Sequence, residues 1–221
     1  MNNSSHKESA MNLSRPLKSL IPSLEGDVLT VLTGAEASFT GLQVQKLMNR
    51  GSNRGVLDTL QKLCTQGLVT RTPAGSADLY ELNREHLLAK CIIDIANIRK
   101  EFYENLGEQV NSWVLKPECV AIFGSATRRN MNSESDIDIF VSRARDIAFE
   151  DRDWREQLTN FSLKVERWTG NVVQIFEVSY EDMKKELATT EDVIHSIIDE
   201  GVVVYGPLDY LRTLRNKMEA Q

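Results

Sequence analysis

Apolar residues in the first third of the chain recur at helical spacing. Leu24, Val28, Leu29, Val31 and Leu32 predict a helix beginning near Leu24 and stopped by Gly34. Thr40 is placed to cap a second helix with Leu42, Val44, Leu47 and Met48 on its apolar face, ending at Gly51. Ser52 suits the N-cap of a third, where Val56, Leu57, Leu60 and Leu63 form the buried stripe and Gly67 the stop. The period then changes to that of strands. Residues 68–72 and 78–82 alternate around the turn cluster Pro73-Ala74-Gly75-Ser76, which predicts a β-hairpin.

Before these elements, residues 1–20 are rich in Ser, Asn and Lys with weak periodicity and read as a mobile arm. After them, residues 85–113 contain no proline and a single glycine, Gly107. Leu87, Leu88, Cys91, Ile92, Ile95, Ile98, Phe102 and Leu106 recur at mostly three-and-four spacing, predicting one long amphipathic linking helix. Its stripe can pack on a second domain or on another copy of itself, which would give a homodimer through residues 85–113. Further on, 119–123, 135–141, 172–178 and 202–205 read as strands. Residues 151–168, 181–187, 191–199 and 208–218 read as helices, and together they predict a small mixed sheet backed by helices.

The order helix, helix, helix, hairpin, with Ser52 opening the third helix and Gly67-Leu68-Val69 leading into the hairpin, resembles the winged helix-turn-helix family. In that family the third helix enters the major groove and the wing touches flanking backbone. The resemblance implies that Ser52, Asn53 and Arg54 lie at the tip of the inserted helix, while Arg50, Lys62 and Arg71 meet phosphates of duplex DNA. Winged helices also serve as protein-binding modules, so charge is the arbiter. The net charge is −6, which speaks against a nucleic-acid partner until it is divided. Residues 1–84 carry 9 Lys and Arg against 7 Asp and Glu, whereas 85–221 carry 17 against 25. Between Thr40 and Arg71 there are five basic residues and only Asp58. The basic stretch favours DNA.

Chemistry concentrates in the second half. Cys119-Val120-Ala121-Ile122-Phe123 reads as a buried strand followed by Gly124-Ser125, and ten residues later comes Asp136-Ile137-Asp138. Alternate strand residues share a face, so Asp136 and Asp138 point one way and Ile137 and Ile139 point to the core. Two carboxylates on an apolar strand repel each other and lose solvation, which a divalent cation such as Mg2+ relieves. Gly124 permits close backbone approach and Ser125 offers a hydroxyl at an expected helix start, a setting suited to a triphosphate; Arg128 and Arg129 add positive charge.

Gly124-Ser125, ten residues, then Asp136-Ile137-Asp138 resembles the signature of DNA polymerase beta-type nucleotidyltransferases, in particular their minimal and antibiotic-modifying branches. The resemblance implies that Gly124 and Ser125 hold nucleotide phosphates, and that Asp136 and Asp138 bind two Mg2+ ions. It also implies transfer of a nucleotidyl group from a nucleoside triphosphate to an acceptor, which in the family is a small molecule, a nucleic-acid end or a protein. The family's third carboxylate, on a later strand, aligns with Gln174, which neither acts as a base nor ligates metal well. Glu177, three residues on, faces the other side unless a bulge returns it. Metal and nucleotide binding are therefore expected and transfer is left open. The alternative is a winged-helix regulator or antitoxin-like protein whose nucleotidyltransferase domain senses a nucleotide or is inactive.

The expected architecture is α/β of the α+β kind. It comprises an arm (1–20), a winged helix (21–84), a linking helix (85–114) and a nucleotidyltransferase domain (115–221). Cys64, Cys91 and Cys119 are far apart with apolar neighbours and are expected as buried, reduced thiols. His86 and His195 are expected at the surface or half-buried. The polar start Met1–Glu8 and the lack of an apolar run of ~18 residues point to a cytoplasmic chain with no membrane segment.

Overall fold

Two compact units divide the chain. One is Arg15–Arg99, and the other runs from Lys100 onward and takes in the described residues up to Ser14. The structure, a computed structural model, describes residues 11–128, 131, 134–179 and 191–219. The helix expected over 181–187 and the first ten residues of the expected arm lie outside these.

The Arg15–Arg99 unit begins with a short helix α1 (Leu17–Leu20), followed by α2 (Leu24–Thr33), strand β1 (Phe39–Thr40), α3 (Gly41–Met48) and α4 (Asn53–Thr65). It continues through β2 (Val69–Ala74), β3 (Ala77–Leu82) and α5 (Ala89–Ala96). Thr40 closes a capping box with Gln43, and Ser52 Oγ accepts from Gly55 N at 3.1 Å, so two helix starts follow from their caps. Helix α3 ends earlier than expected, at Met48, because Asn49 takes the left-handed conformation at φ 52°. Residues Gly75 and Ser76 turn the hairpin, and β1, too short for a period-2 signal, completes a three-stranded sheet in the order β1-β3-β2. Val28, Leu29, Leu32, Val44, Val56, Leu60, Leu63 and Tyr80 fill this unit's core.

Asp27 is 2% exposed in α2. Its carboxylate lies 3.3 Å from Arg15, 3.8 Å from Lys18 and 3.3 Å from Arg50. These cations meet the cost of burying a charge.

The arm expected through residue 20 is corrected from residue 11 onward. Leu13 and Leu17 are each 1% exposed, in the cores of their respective units, and apolar burial orders the backbone that carries them. The single linking helix is corrected too. Asn97, at φ −93° and ψ 0°, separates α5 from α6 (Ile98–Asn111), and residues 85–88 precede both. Within their own units Ile92 enters one core, while Phe102, Leu106 and Val110 enter another.

The second unit continues through β4 (Cys119–Phe123), a 3-10 turn (Gly124–Ala126), β5 (Ile137–Arg143), α7 (Arg152–Thr169) and β6 (Val173–Ser179). It ends with α8 (Glu191–Glu200), β7 (Val202–Tyr205) and α9 (Tyr210–Glu219). Its sheet runs β6-β5-β4-β7, with β5 parallel to β6 and the other pairs antiparallel, the mixed sheet that was expected. Period-2 alternation feeds two helical layers. Val120, Ile122, Ile137, Ile139 and Val141 pack with α6 and α7, where Trp113 meets Trp154 and Phe161 edge-on. Ala121, Phe123 and Phe140 pack with Ile194, Ile197, Leu211 and Leu214 of α8 and α9. No helix among the described residues is long and apolar enough to cross a membrane.

Candidate nucleotide and metal site

Register brings the sequence-predicted residues of the second unit together. Asp138 lies on β5 opposite Phe123 of β4, one residue before the 3-10 turn, and so beside Gly124. Gly124 has φ +69°, and a Cβ there would lie 2.4 Å from Asp138 Oδ2. Both the backbone conformation and the space thus require glycine. Ser125 Oγ donates to the Asp136 carbonyl at 3.4 Å, tying the turn to the residue just before β5. Asp136 therefore stands at the strand's mouth instead of within it. Ile137 and Ile139 are fully buried on the α6/α7 side, as alternation predicted.

The turn is pinned on several sides. Thr127 Oγ1 donates to the Gly124 carbonyl at 2.8 Å, Tyr103 Oη donates to the Ala126 carbonyl at 3.0 Å, and Ser14 Oγ to the Arg128 carbonyl at 2.9 Å. Arg128 Nε donates to the Gly124 carbonyl at 3.3 Å and pairs with Glu200 Oε2 at 3.2 Å. The helix expected to begin at Gly124-Ser125 is a 3-10 turn, because the positive φ of Gly124 precludes an α start there. On the far side of the aspartates Asn171 Nδ2 donates to the Ser135 carbonyl at 2.9 Å. Tyr103, Ser14, Glu200 and Asn171 carried no sequence signal, since each acts through a contact distant along the chain. Arg129 lies outside the described residues.

Electrostatically the site calls for a cation. Burial pushes the Asp138 carboxyl above the usual aspartate range, Asp136 pushes it the same way, and Arg128 pulls it back. Two carboxylates, one of them short of water, are a donor set that fits a hard divalent ion whose remaining positions phosphate oxygens complete. Among the described residues no group of three or more His, Cys, Asp or Glu is placed to hold an ion. That accords with the third position. Gln174 of β6 is the register partner of Asp138 and is exposed, so an amide stands where a third carboxylate was sought.

Glu177 does not substitute for it. The β5–β6 register runs without a bulge and pairs Glu177 with Val141, on the α7 side of the sheet. There its carboxylate accepts from Arg143 Nε at 2.9 Å, Trp154 Nε1 at 2.9 Å and Arg155 at 2.8 Å, with 8% of the side chain exposed. It is a buried ion-pair hub.

In the Arg15–Arg99 unit Ser52 caps α4, and Asn53 and Arg54 are exposed in its first turn. The other three candidates are engaged internally: Arg50 with Asp27 at 3.3 Å, Lys62 with Glu25 at 3.8 Å and Arg71 with Asp78 at 2.7 Å. His195 is exposed, and half-buried His86 accepts from Leu88 N through Nδ1 at 3.1 Å. Of the cysteines Cys119 is buried and Cys64 half-buried, but Cys91 is exposed on the outer face of α5, a correction to the expectation of burial for all three.

Residues 104–207 match the family model Polymerase beta, Nucleotidyltransferase, over a little under half of the chain. Over that span the chain is similar to polymerase beta-type nucleotidyltransferases, and the mixed sheet and the two aspartates lie within the matched residues. No curated protein matches the chain. Among solved structures it is similar to one described as a mutant of the toxin-antitoxin MntA-HpeT, at 11% identity and TM-score 0.37, over 53% of this chain and 84% of that one. It is also similar to one described as the toxin-antitoxin with AMP-PNP, at 14% and 0.38 with the same coverage. A third, TrmBL2, is described as an archaeal chromatin protein with a novel mode of DNA binding; the likeness is 14% identity and TM-score 0.30 over 88% of this chain and 79% of that one. Scores of this size fix neither activity nor partner.

Proposed function

We propose that the second unit binds a nucleoside triphosphate with Mg2+ and transfers its nucleotidyl group to an acceptor hydroxyl, and that the first unit is a DNA-binding winged helix. The observation that carries the catalytic part is the Asp136/Asp138 pair set against the pinned turn at Gly124. Asp136 and Asp138 would hold the metal, which when bound neutralises the phosphates and polarises the reacting oxygens. Gly124 lets the triphosphate approach the backbone, Ser125 donates a hydroxyl hydrogen bond, and Arg128 adds positive charge. The bond from the acceptor oxygen to the α-phosphorus forms as the bond from that phosphorus to the bridging oxygen breaks, and pyrophosphate leaves. The acceptor proton passes to solvent water, since the Gln174 amide cannot take it.

Gln174 is the observation that favours a second reading, in which the unit binds nucleotide and metal without transferring and reports occupancy to the DNA-binding unit. For that unit, the helix, strand, helix, helix and hairpin order and the exposed start of α4 support the winged-helix reading, with Arg54 exposed and in no ion pair among the described residues. Exposed pairs such as Lys62–Glu25 and Arg71–Asp78 are weak, so DNA phosphates can compete for both. Arg50, held by buried Asp27, is costlier to release.

Labelled triphosphate with Mg2+ tests transfer. Pyrophosphate release or label on an acceptor, nucleic acid or protein, is expected in the wild type, with loss of at least about a hundredfold in Asp136→Ala or Asp138→Ala. Activity retained in either variant excludes the metal assignment, and nucleotide binding without turnover supports the sensing reading. For DNA, Arg54→Ala should weaken duplex binding about fivefold, and affinity should fall as salt rises.

A further inference from the structure

Arg128 stands between two demands. Its charge acts on the Asp138 carboxyl, which is partly desolvated and neighbours a second carboxylate, Asp136. A guanidinium within reach of such a pair is drawn onto it, and there it would cover the oxygens that a divalent ion needs. Yet its Nε is taken by the Gly124 carbonyl at 3.3 Å and by Glu200 Oε2 at 3.2 Å. Glu200 is the last residue of α8, and Ser196 Oγ, one turn back on that helix, lies 3.3 Å from the same Oε2 as its donor. The carboxylate that holds Arg128 is thus itself oriented. Among the described residues both the hydrogen bond to Gly124 and the ion pair to Glu200 run through Nε.

We infer that Glu200 is a positioning residue of this site. By engaging Nε, it keeps the Arg128 guanidinium on the Gly124 turn and off Asp138, leaving that carboxylate for the cation and the terminal NH2 groups for phosphate. The inference rests on the metal-and-nucleotide reading given above, and its test separates the two.

Mn2+ serves as the probe in place of Mg2+, and free Mn2+ is read by electron paramagnetic resonance in the absence of nucleotide. The wild type should take up Mn2+ and Asp138→Ala should not; failure of either result removes the site reading, and the inference with it. Where both hold, Glu200→Gln should raise the apparent Kd for Mn2+ about two- to fivefold, the range open to a pair 49% and 34% exposed. In an Arg128→Ala background the same substitution should have a clearly smaller effect, because no guanidinium is left to fall onto Asp138. An equal factor in both backgrounds overturns the inference, since Glu200 would then act only as a distant negative charge. Unchanged or tighter Mn2+ binding in Glu200→Gln overturns it as well. The pair is open to water, so the variant should keep its far-UV circular dichroism.

Discussion

Asp138 illustrates how a single side chain can oppose the stability of the fold that carries it. Its carboxyl is raised from the ordinary 3.8 by burial first and by Asp136 second. A raised carboxyl binds its proton more tightly folded than unfolded. The penalty for ionisation is therefore absent below the unfolded pKa, grows as pH rises through the folded one, and is complete above it. In metal-free protein at pH 7.5, Asp138→Asn should accordingly melt at a higher temperature than the wild type. The gap should close as pH is lowered toward 3.8, and added Mg2+ should stabilise the wild type alone. A metal-free variant less stable than the wild type at pH 7.5 would show that the carboxylate serves the fold, contrary to the site proposed here. The pair was legible in the sequence because strand alternation is a local rule. Gly124 and Arg128 were legible beside it through the motif, whereas Glu200 was not, since it reaches Arg128 only through the packing of α8.

At the scale of elements, caps and breakers translated directly into structure. Thr40, Ser52 and Asp151 begin helices with their side chains accepting from backbone N–H groups, and Gly170 ends α7 at φ 73°. The stretch 85–113 misled because its apolar period continues across Asn97, while α5 lies in one unit and α6 from Lys100 onward in the other. Glu177 faces away from Asp138, as alternation predicted, but one acid in an apolar strand gives no sign of the cations awaiting it. With Arg143 only 10% exposed beside it, Glu177→Ala would strand a buried guanidinium. The expected cost is about 3–5 kcal/mol, read as a shift in the denaturation midpoint. Glu177→Gln should cost less, because the amide oxygen still accepts. Since Glu177 lies on the face of the sheet away from Asp138, folded Glu177→Gln protein should keep its Mg2+-dependent nucleotide binding. Loss of that binding would place Glu177 in the site after all.

The whole molecule carries two kinds of core. One fills the helix-and-hairpin unit, and the others line both faces of the mixed sheet. Each unit therefore has its own apolar basis for stability, and a defect in one need not spread to the other. Asp27 provides a clean lesion, because its buried carboxylate gathers Arg15, Lys18 and Arg50 inside a single unit. Those cations are 24–41% exposed and can turn to water once the carboxylate is gone. Asp27→Ala should therefore cost about 1–3 kcal/mol, less than breaking a fully buried pair. Hydrogen exchange followed by mass spectrometry should show faster exchange in α2, α3 and α4 and an unchanged pattern in β4 and β5. Nucleotide with Mg2+ should slow exchange in the sheet and leave the lesion in place, because binding energy stabilises only the unit whose unfolding releases the ligand. Acceleration spread evenly through both units would mean that they unfold as one, and the division at Arg99 would then carry no energetic meaning.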